Sequence, residues 1–451
     1  MAVLLAGAAI LACASGAGAQ VPGAAGAGDP YFPEAGNGGY QVEHYDLRLA
    51  FRPRRGKIKA VASISARSTQ ALSAFNLDLH GLKVTGVRVA GAPARRRHRG
   101  GELTVFPAAP LASDAPFTVE VRYRGRPRPY SGGKHRRTGW TPTRDGAFVA
   151  SEPRGAPSWF PCNDHPSDKA TYAFAVKVPR GVTAAANGVL EGVERRRGTT
   201  TFRWRESAPM ATYLATVTSG RFRMRRSLVA GVPSWTAVDP LEARKSRRPL
   251  RRMGKIIERF SAAFGPYPFT TTGAIVDRGI PGYALETQTR PLYGSAPPTW
   301  IVAHELAHQW FGDAVTPARW QDIWLNEGFA TWAEWWWSTG GSDRKLRRAF
   351  RNLMSIPAGR GGTWRPAPGA PGPRKLFSFS VYYRGAATLE ALRQKIGQET
   401  FLRILRRWVS EHLYGNVTTE QFIELAEQES GQDLDRFFFI WLYRPGKPRG
   451  W

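Results

Sequence analysis

The sequence predicts an α+β chain of two domains: an N-terminal antiparallel β-sheet domain over 30–230, then a mainly helical domain over 231–451, behind a leader and flexible linker over 1–29. Three observations predict it. Apolar and polar residues alternate in short runs between Tyr45 and Val178, the period-two mark of half-buried strands. From Pro240 onward the apolar spacing lengthens to that of amphipathic helices. With 451 residues, 42% hydrophobic content, 16 Trp and 23 Phe, the chain has material for two cored domains.

Residues 1–19, MAVLLAGAAILACASGAGA, form a short apolar run ending in Ala17-Gly18-Ala19, a small-x-small cleavage pattern. The expectation is a signal peptide and a secreted, extracellular protein. Cys13 after Ile10-Leu11-Ala12 offers the alternative of a lipid anchor at the cell surface. No later stretch approaches the roughly 20 apolar residues of a membrane span. Gly and Ala dominate Gln20 to Gly28, which reads as flexible linker. Tyr45, Leu47, Leu49 and Phe51 then point one way along a strand, as do Phe117, Val119, Val121 and Tyr123, and Tyr172, Phe174, Val176 and Val178. Gly and Pro punctuate these runs as a largely antiparallel sheet requires.

Only Cys13 and Cys162 occur, so the fold relies on its core, and Cys162 reads as a small buried hydrophobe. Net charge is +29, from 64 Lys+Arg against 35 Asp+Glu. The arginines are spread along the chain, with denser clusters at Arg95–Arg99 and Arg244–Arg252, and no aromatic-and-glycine pattern interleaves with them. That excludes specific nucleic-acid recognition as the reading. A solvated face is expected, with loose attraction to an anionic cell envelope as the alternative.

The chemistry concentrates between Thr299 and Gly340. His304-Glu305-Leu306-Ala307-His308 spells HExxH, and Glu327 follows after eighteen intervening residues. On a helix, positions four apart share a face, so His304 and His308 aim two imidazoles at one point. A catalytic zinc takes three protein ligands and leaves a position for water, and Glu327 completes that set. Glu305 lies about 100° round the helix from His304, beside the ligand face, where it can take a proton from water. Thr299 is expected to cap this helix and Gly312 to end it, with a second helix from Asp322 to Ser338 closed by Gly340-Gly341. Glu334, seven residues past Glu327 on the same face, is a candidate to orient a ligand. Trp332, Trp335, Trp336 and Trp337 read as core, and Asp313 and Asp322 as helix-end caps.

This chain resembles the gluzincin zinc aminopeptidases, the family of aminopeptidase N and leukotriene A hydrolase. Their HExxH-x18-E signature is matched by His304, Glu305, His308 and Glu327. Pro281-Gly282-Tyr283-Ala284-Leu285-Glu286-Thr287-Gln288 is similar to their exopeptidase strand motif, with Tyr283 where the pattern has Gly. Val381-Tyr382-Tyr383-Arg384-Gly385-Ala386 resembles their V-Y-x-K-G-A, and Glu152 stands nine residues before Pro161-Cys162 as a Glu or Gln does there. The resemblance implies a thermolysin-like catalytic domain and one Zn2+ ion. It implies Glu286 and Glu152 as anchors for a free amino terminus, Gly282, Tyr283 and Ala284 along the substrate backbone, and Tyr382 as oxyanion stabiliser. Tyr383 is the rival, expected to pack outward. Asp164, His165 and Asp168 are expected to build their loop. Longer relatives append a helical C-terminal domain past the point where this sequence stops, so an open cleft is expected.

The reading is an aminopeptidase acting on peptides with a free N-terminus. The alternatives are an endopeptidase or epoxide hydrolase on the same zinc, or a catalytically silent surface-binding protein. The Gly- and Pro-rich stretch Pro357–Lys375 is expected to rim the cleft. The remainder reads as amphipathic helices turning at Gly397, Gly415 and Gly431.

Overall fold

In the computed structural model, which describes residues 20–131, 137–279, 282–359 and 361–451, the alternating runs become one eight-stranded sheet. Its long members are Tyr40–Arg52 (β1), Lys57–Ser68 (β2), Lys83–Val89 (β3), Pro116–Gly125 (β4), Lys169–Pro179 (β5), Val189–Arg196 (β6) and Thr199–Ala211 (β7). They lie in the order β6-β7-β5-β1-β2-β4-β3, with Ala92–Pro93 at the far edge. Tyr45, Leu47, Leu49 and Phe51 are buried as expected; so are Tyr40 and Val42, because a register shift between Val42 and His44 changes which parity faces inward. One central pair is parallel, β5 beside β1, since the chain leaves the sheet after β4 and returns through the long excursion that carries Ser151 to Asp168.

That excursion packs against the sheet through Trp159 and Phe160, whose rings meet each other and Tyr45. Cys162 is buried, its backbone bridged in both directions to Asp78. Asp164, His165 and Asp168 are loop-builders as expected: Asp164 accepts from Thr212 Oγ1 at 2.6 Å, the His165 ring meets Ser167 Oγ at 2.6 Å, and Asp168 accepts from the backbone of Val42.

The flexible-linker reading of 20–28 is corrected. Val21 and Pro22 pair with Leu72–Asp78, Gly23 N–H donates to Ala74, and Ala27 N–H donates to Ala35. Just beyond, buried Asp29 accepts from Tyr31, Phe32 and Trp320 backbone N–H groups. Composition suggested freedom, but small residues here let two backbones meet: a Cβ on Gly23 would stand 2.5 Å from Gly38 O. The expected leader, residues 1–19 with Cys13, lies outside the described residues. None of the described helices is long and apolar enough to cross a membrane.

The second part opens with a mixed sheet of Arg223–Val229 (β8), Val232–Val238 (β9), Thr272–Val276 (β10), Ala284–Leu285 (β11) and Leu292–Tyr293 (β12), ordered β8-β9-β10-β12-β11. The strand leading to Glu286 is thus an edge strand. The helices are Ala243–Leu250 (α1), Met253–Phe264 (α2), Thr299–Ala307 (α3), Trp324–Ser338 (α4), Asp343–Met354 (α5), Phe379–Ile396 (α6), Gln398–Glu411 (α7) and Thr419–Ser430 (α8). Aromatic rings fill the space between them: Phe264 meets Trp310, Phe311 and Trp332, and Trp332 stacks on Trp336. Gly397 and Gly431 take positive φ at the ends of α6 and α8 as the turn reading requires.

Three expectations about element ends are corrected. Thr299 is the first residue of α3, not its cap; Pro298 precedes it, and no side chain caps that end. The helix stops at Ala307, before Gly312, because Gln309 and Trp310 N–H groups turn back on carbonyls three residues earlier. Asp322 closes a short 3₁₀ turn before α4 and is held by Arg319 at 2.7 Å and Thr419 at 2.6 Å, while Asp313 is buried beneath Gln309. Neither aspartate caps a helix.

Candidate active site

Because α3 packs against α4, its one functional face meets the first turns of the longer helix. His304 Nε2 lies 3.3 Å from Glu327 Oε2, and His308 Nε2 lies 3.4 Å from the same oxygen. A tetrahedral zinc with bonds of about 2.0–2.1 Å sets its ligand atoms about 3.3 Å apart; both histidine-to-Glu327 separations match that spacing, and all three ligand atoms lie within 4.8 Å of one another. His308 Nδ1 stands 3.0 Å from the Phe311 carbonyl, a contact that puts the proton on Nδ1 and leaves Nε2 as the lone-pair donor. His304 Nδ1 stands 3.6 Å from Glu334 Oε2, so the residue expected to orient a ligand does face one.

All three groups are buried. Burial alone would raise the Glu327 carboxyl, but His304 and His308 hold it well below the usual carboxylate range. Burial alone would lower His304; Glu327 and Glu334 raise it instead. The imidazoles here do for Glu327 what a dication does more strongly. Glu305 sits beside them, its carboxyl pushed up to about 7 by burial against the pull of both histidines.

A cavity of about 270 Å³ opens onto this cluster, and every residue expected at the site lines it: Glu152, Gly282, Tyr283, Ala284, Glu286, His304, Glu305, His308, Glu327, Glu334 and Tyr382. Pro281 lies outside the described residues. Glu286 is buried, and its Oε1 has no hydrogen-bond partner among the described residues. Glu152 is buried and comes from the N-terminal sheet domain, following the strand Ala147–Ala150. Tyr382 projects from α6 and donates to Glu327 Oε1 at 2.7 Å, which holds its hydroxyl beside the ligand set. Tyr383 stacks on Phe379 with ring centroids 4.0 Å apart, the packing role expected, and also reaches the cavity wall.

The remaining lining and bracing residues carried no pattern a sequence shows. Trp300, Ile301 and Thr331 complete the wall. Gln309, the residue after the HExxH motif, donates to Glu286 O at 3.1 Å and to Asp313 Oδ2 at 2.7 Å, and accepts from Thr289 N–H. It ties the Glu286 strand to the histidine segment. One motif residue stands apart, and one expectation fails. Arg384 takes no part in the site: it is buried and donates to the carbonyls of Trp364, Ile440, Trp441 and Arg444, clamping the C-terminal turn. The stretch Pro357–Lys375 contributes no described residue to the cavity wall; Trp364, Gly369 and Gly372 hold it against Arg384, Leu442 and Tyr31.

Residues 41–214 match the Peptidase M1 N-terminal domain and residues 296–441 the Peptidase family M1 domain. The chain belongs to peptidase family M1. Crystal structures of the M1 zinc metallopeptidase from Deinococcus radiodurans are 29% identical with a TM-score of 0.85, over 94% of this chain and 100% of theirs. A mutant of that protein bound to a Tyr-Ser-Ala substrate matches as well, at 28% identity. Aminopeptidase 2, mitochondrial, of Saccharomyces cerevisiae is 24% identical over 90% of this chain and 46% of its own length. Tricorn protease-interacting factor F2 of Thermoplasma acidophilum is 28% identical over 68% of this chain and 42% of its own. The chain thus spans less than half the length of these curated relatives. Family and ligand geometry together give the cofactor as a single zinc ion.

Proposed function

We propose that this chain is a zinc-dependent aminopeptidase. The observation that carries the reading is the placement of two buried carboxylates, Glu286 and Glu152, in the same cavity as the His304, His308 and Glu327 cluster. A peptide's α-ammonium entering that space meets negative charge in a poorly solvated setting, where such pairing is strongest. Its first carbonyl then falls beside the ligand cluster, which restricts cleavage to the first bond.

Zinc held by His304, His308 and Glu327 supplies a Lewis acid for the scissile carbonyl and lowers the pKa of water. Glu305, buried beside the ligand cluster and lining the same cavity, accepts the proton of the attacking water and passes one to the departing amine. Tyr382 presents its hydroxyl where negative charge develops on the carbonyl oxygen. The edge strand ending at Leu285 offers unpaired backbone to an extended peptide, which sets the peptide's direction.

A panel of aminoacyl amides and matched N-acetylated peptides tests this. Free-amine substrates turn over and acetylated ones do not; cleavage of both marks an endopeptidase, and no cleavage with zinc bound marks a silent binding protein. The apolar run at 1–19 and its Ala17-Gly18-Ala19 end support export, and the charge of +29 supports loose association with an anionic envelope. N-terminal sequencing of the protein from the culture medium, and its release from cells by salt, check those two points.

A further inference from the structure

The cavity has two ends. The carboxyl oxygens of Glu286 and Glu305 cluster with the His308 ring, so the amino-terminal anchor lies on the His308 side. Glu334 faces His304, and Trp300, one turn further back on α3, lines the wall there and is 46% exposed. A peptide anchored at Glu286 therefore leaves past His304 toward Trp300. The same two helices continue into a second, open groove of about 570 Å³: Pro298 and Thr299 follow Trp300 backward along α3, and Trp337 and Ser338 follow Glu334 forward along α4.

The far wall of this groove comes from α1 and the turn after it, through Lys245, Arg248, Pro249 and Arg252. Lys245, Arg248 and Arg252 of this wall, and Arg251 and Lys255 beside it, are all exposed, and none lies within ion-pair distance of a carboxylate among the described residues. Elsewhere many surface arginines are paired, as Arg205 is with Glu191 and Arg407 with Glu411 and Glu429. Between 243 and 264 the sole acidic residue is Glu258, and Glu242 just before is engaged by Ala296 N–H. Here the chain gathers like charges on one face and leaves their counter-ions to come from outside.

We infer that this groove binds the downstream part of the peptide substrate and selects peptides carrying acidic side chains several residues after the cleaved bond. The inference rests on the aminopeptidase reading above. Distance fixes which residues. Trp337 lies ten positions beyond Glu327, about 15 Å along α4 at 1.5 Å per residue. An extended peptide covers that in four to five residues at about 3.3 Å each. Carboxylates at about positions four to six of the substrate therefore meet Arg248 and Arg252.

The test compares two hexapeptides that share their first three residues and carry three Asp or three Lys at positions four to six, with the aminoacyl amide of the same first residue as a tail-free control. At about 10 mM ionic strength, where charges reach about 30 Å, the Asp peptide shows a KM at least about fivefold below that of the Lys peptide with similar kcat, and the gap closes in about 0.5 M salt. Arg248→Glu combined with Arg252→Glu abolishes or inverts the KM ratio. Arg54→Glu combined with Arg55→Glu, exposed at the β1–β2 turn, leaves the ratio as it was, which separates this groove from the overall charge. Amide turnover with a KM ratio near one overturns the inference alone; no amide turnover overturns the aminopeptidase reading and this with it. Binding of phosphatidylglycerol vesicles that the Arg248→Glu, Arg252→Glu protein loses, with no peptide preference, makes the face a lipid dock and likewise overturns it.

Discussion

Glu327 divides its work between its two oxygens: Oε2 faces both imidazoles while Oε1 accepts from Tyr382. Glu305 and Glu286 face the same cavity without belonging to that ligand set, and that is why their removal should be felt differently. Glu305→Gln keeps the size of the side chain and all three zinc ligands, so zinc content by atomic spectroscopy should stay stoichiometric while kcat falls by about 10²–10⁴, the usual worth of a general base; undiminished turnover would refute the role. Glu286→Gln keeps the strand contacts but removes a charge facing the ammonium. Its KM for free-amine substrates should rise at least about tenfold, in line with about 1.5–3 kcal/mol for a charged hydrogen bond, and an unchanged KM would remove Glu286 from amine binding. His304, Glu305 and His308 were legible because helix periodicity places them together, and Glu327 because its type completes a zinc ligand set and its spacing matches the family signature. Trp300 and Gln309 were not: an aromatic and an amide acquire a function only through which strand or cavity the tertiary fold sets opposite them.

At the scale of elements, the site depends on how closely α4 and α6 approach. Gly328 follows Glu327, and Gly385 stands three residues after Tyr382; a Cβ built on Gly385 would lie 2.9 Å from Gly328 Cα, and one on Gly328 would lie 3.0 Å from the Gly385 backbone. The two helices therefore touch backbone to backbone next to the Tyr382–Glu327 hydrogen bond. Gly385→Ala forces them apart, so kcat should fall at least about tenfold, with stability loss of about 1–3 kcal/mol from overpacking and near-normal zinc content, since His304 and His308 belong to the α3 segment outside this crossing. Thermal melts beside kinetics check this, and parent-like kcat would show that the crossing has slack. Gly385 stands inside a motif readable in the sequence and Gly328 directly follows the last residue of another, yet nothing in the motifs says that one glycine faces the other. The same limit explains the element-end corrections. Thr299 and Asp322 have the right residue type for caps, but the backbone turns at Pro298 and the pull of Arg319 and Thr419 decide what they do. Pro357–Lys375 has the composition of a mobile rim, and Arg384, read as a motif cation, instead uses four carbonyls, one of them in that loop, to bind it down.

Over the whole molecule, the N-terminal sheet domain supplies one anchor to the cavity and is tied to the helical part by buried polar contacts. Lys169 donates to the carbonyls of Asp313, Ala314 and Gly415, and Asp29 accepts from Trp320. The order of strands then helices was legible from periodicity, whereas the docking of 20–29 was not, because Gly and Ala stretches look alike whether free or pressed between backbones. The sheet domain also holds a cluster of fully buried carboxyls, and these set an expected pH response. Burial pushes Asp78 up to about 7 and Asp168 up to about 7; burial, aided by Asp78, pushes Asp164 up to about 8. Arg154 acts against the first and third of these shifts without cancelling them. Unfolded, each would ionise near 3.8. Between the two values the folded chain binds more protons than the unfolded one, so the derivative of unfolding free energy with pH is negative. Their stabilising contribution is complete below the unfolded pKa and is lost as pH climbs through 7 to 8. Asp164→Asn removes one of these titrations while leaving the zinc ligands as they are. Calorimetric melting temperatures of the parent and of Asp164→Asn, measured at about pH 5.5 and about pH 8 in equal salt, should show the variant gaining on the parent at the higher pH; a gap that does not move with pH would mean that Asp164 is ionised in the folded chain throughout.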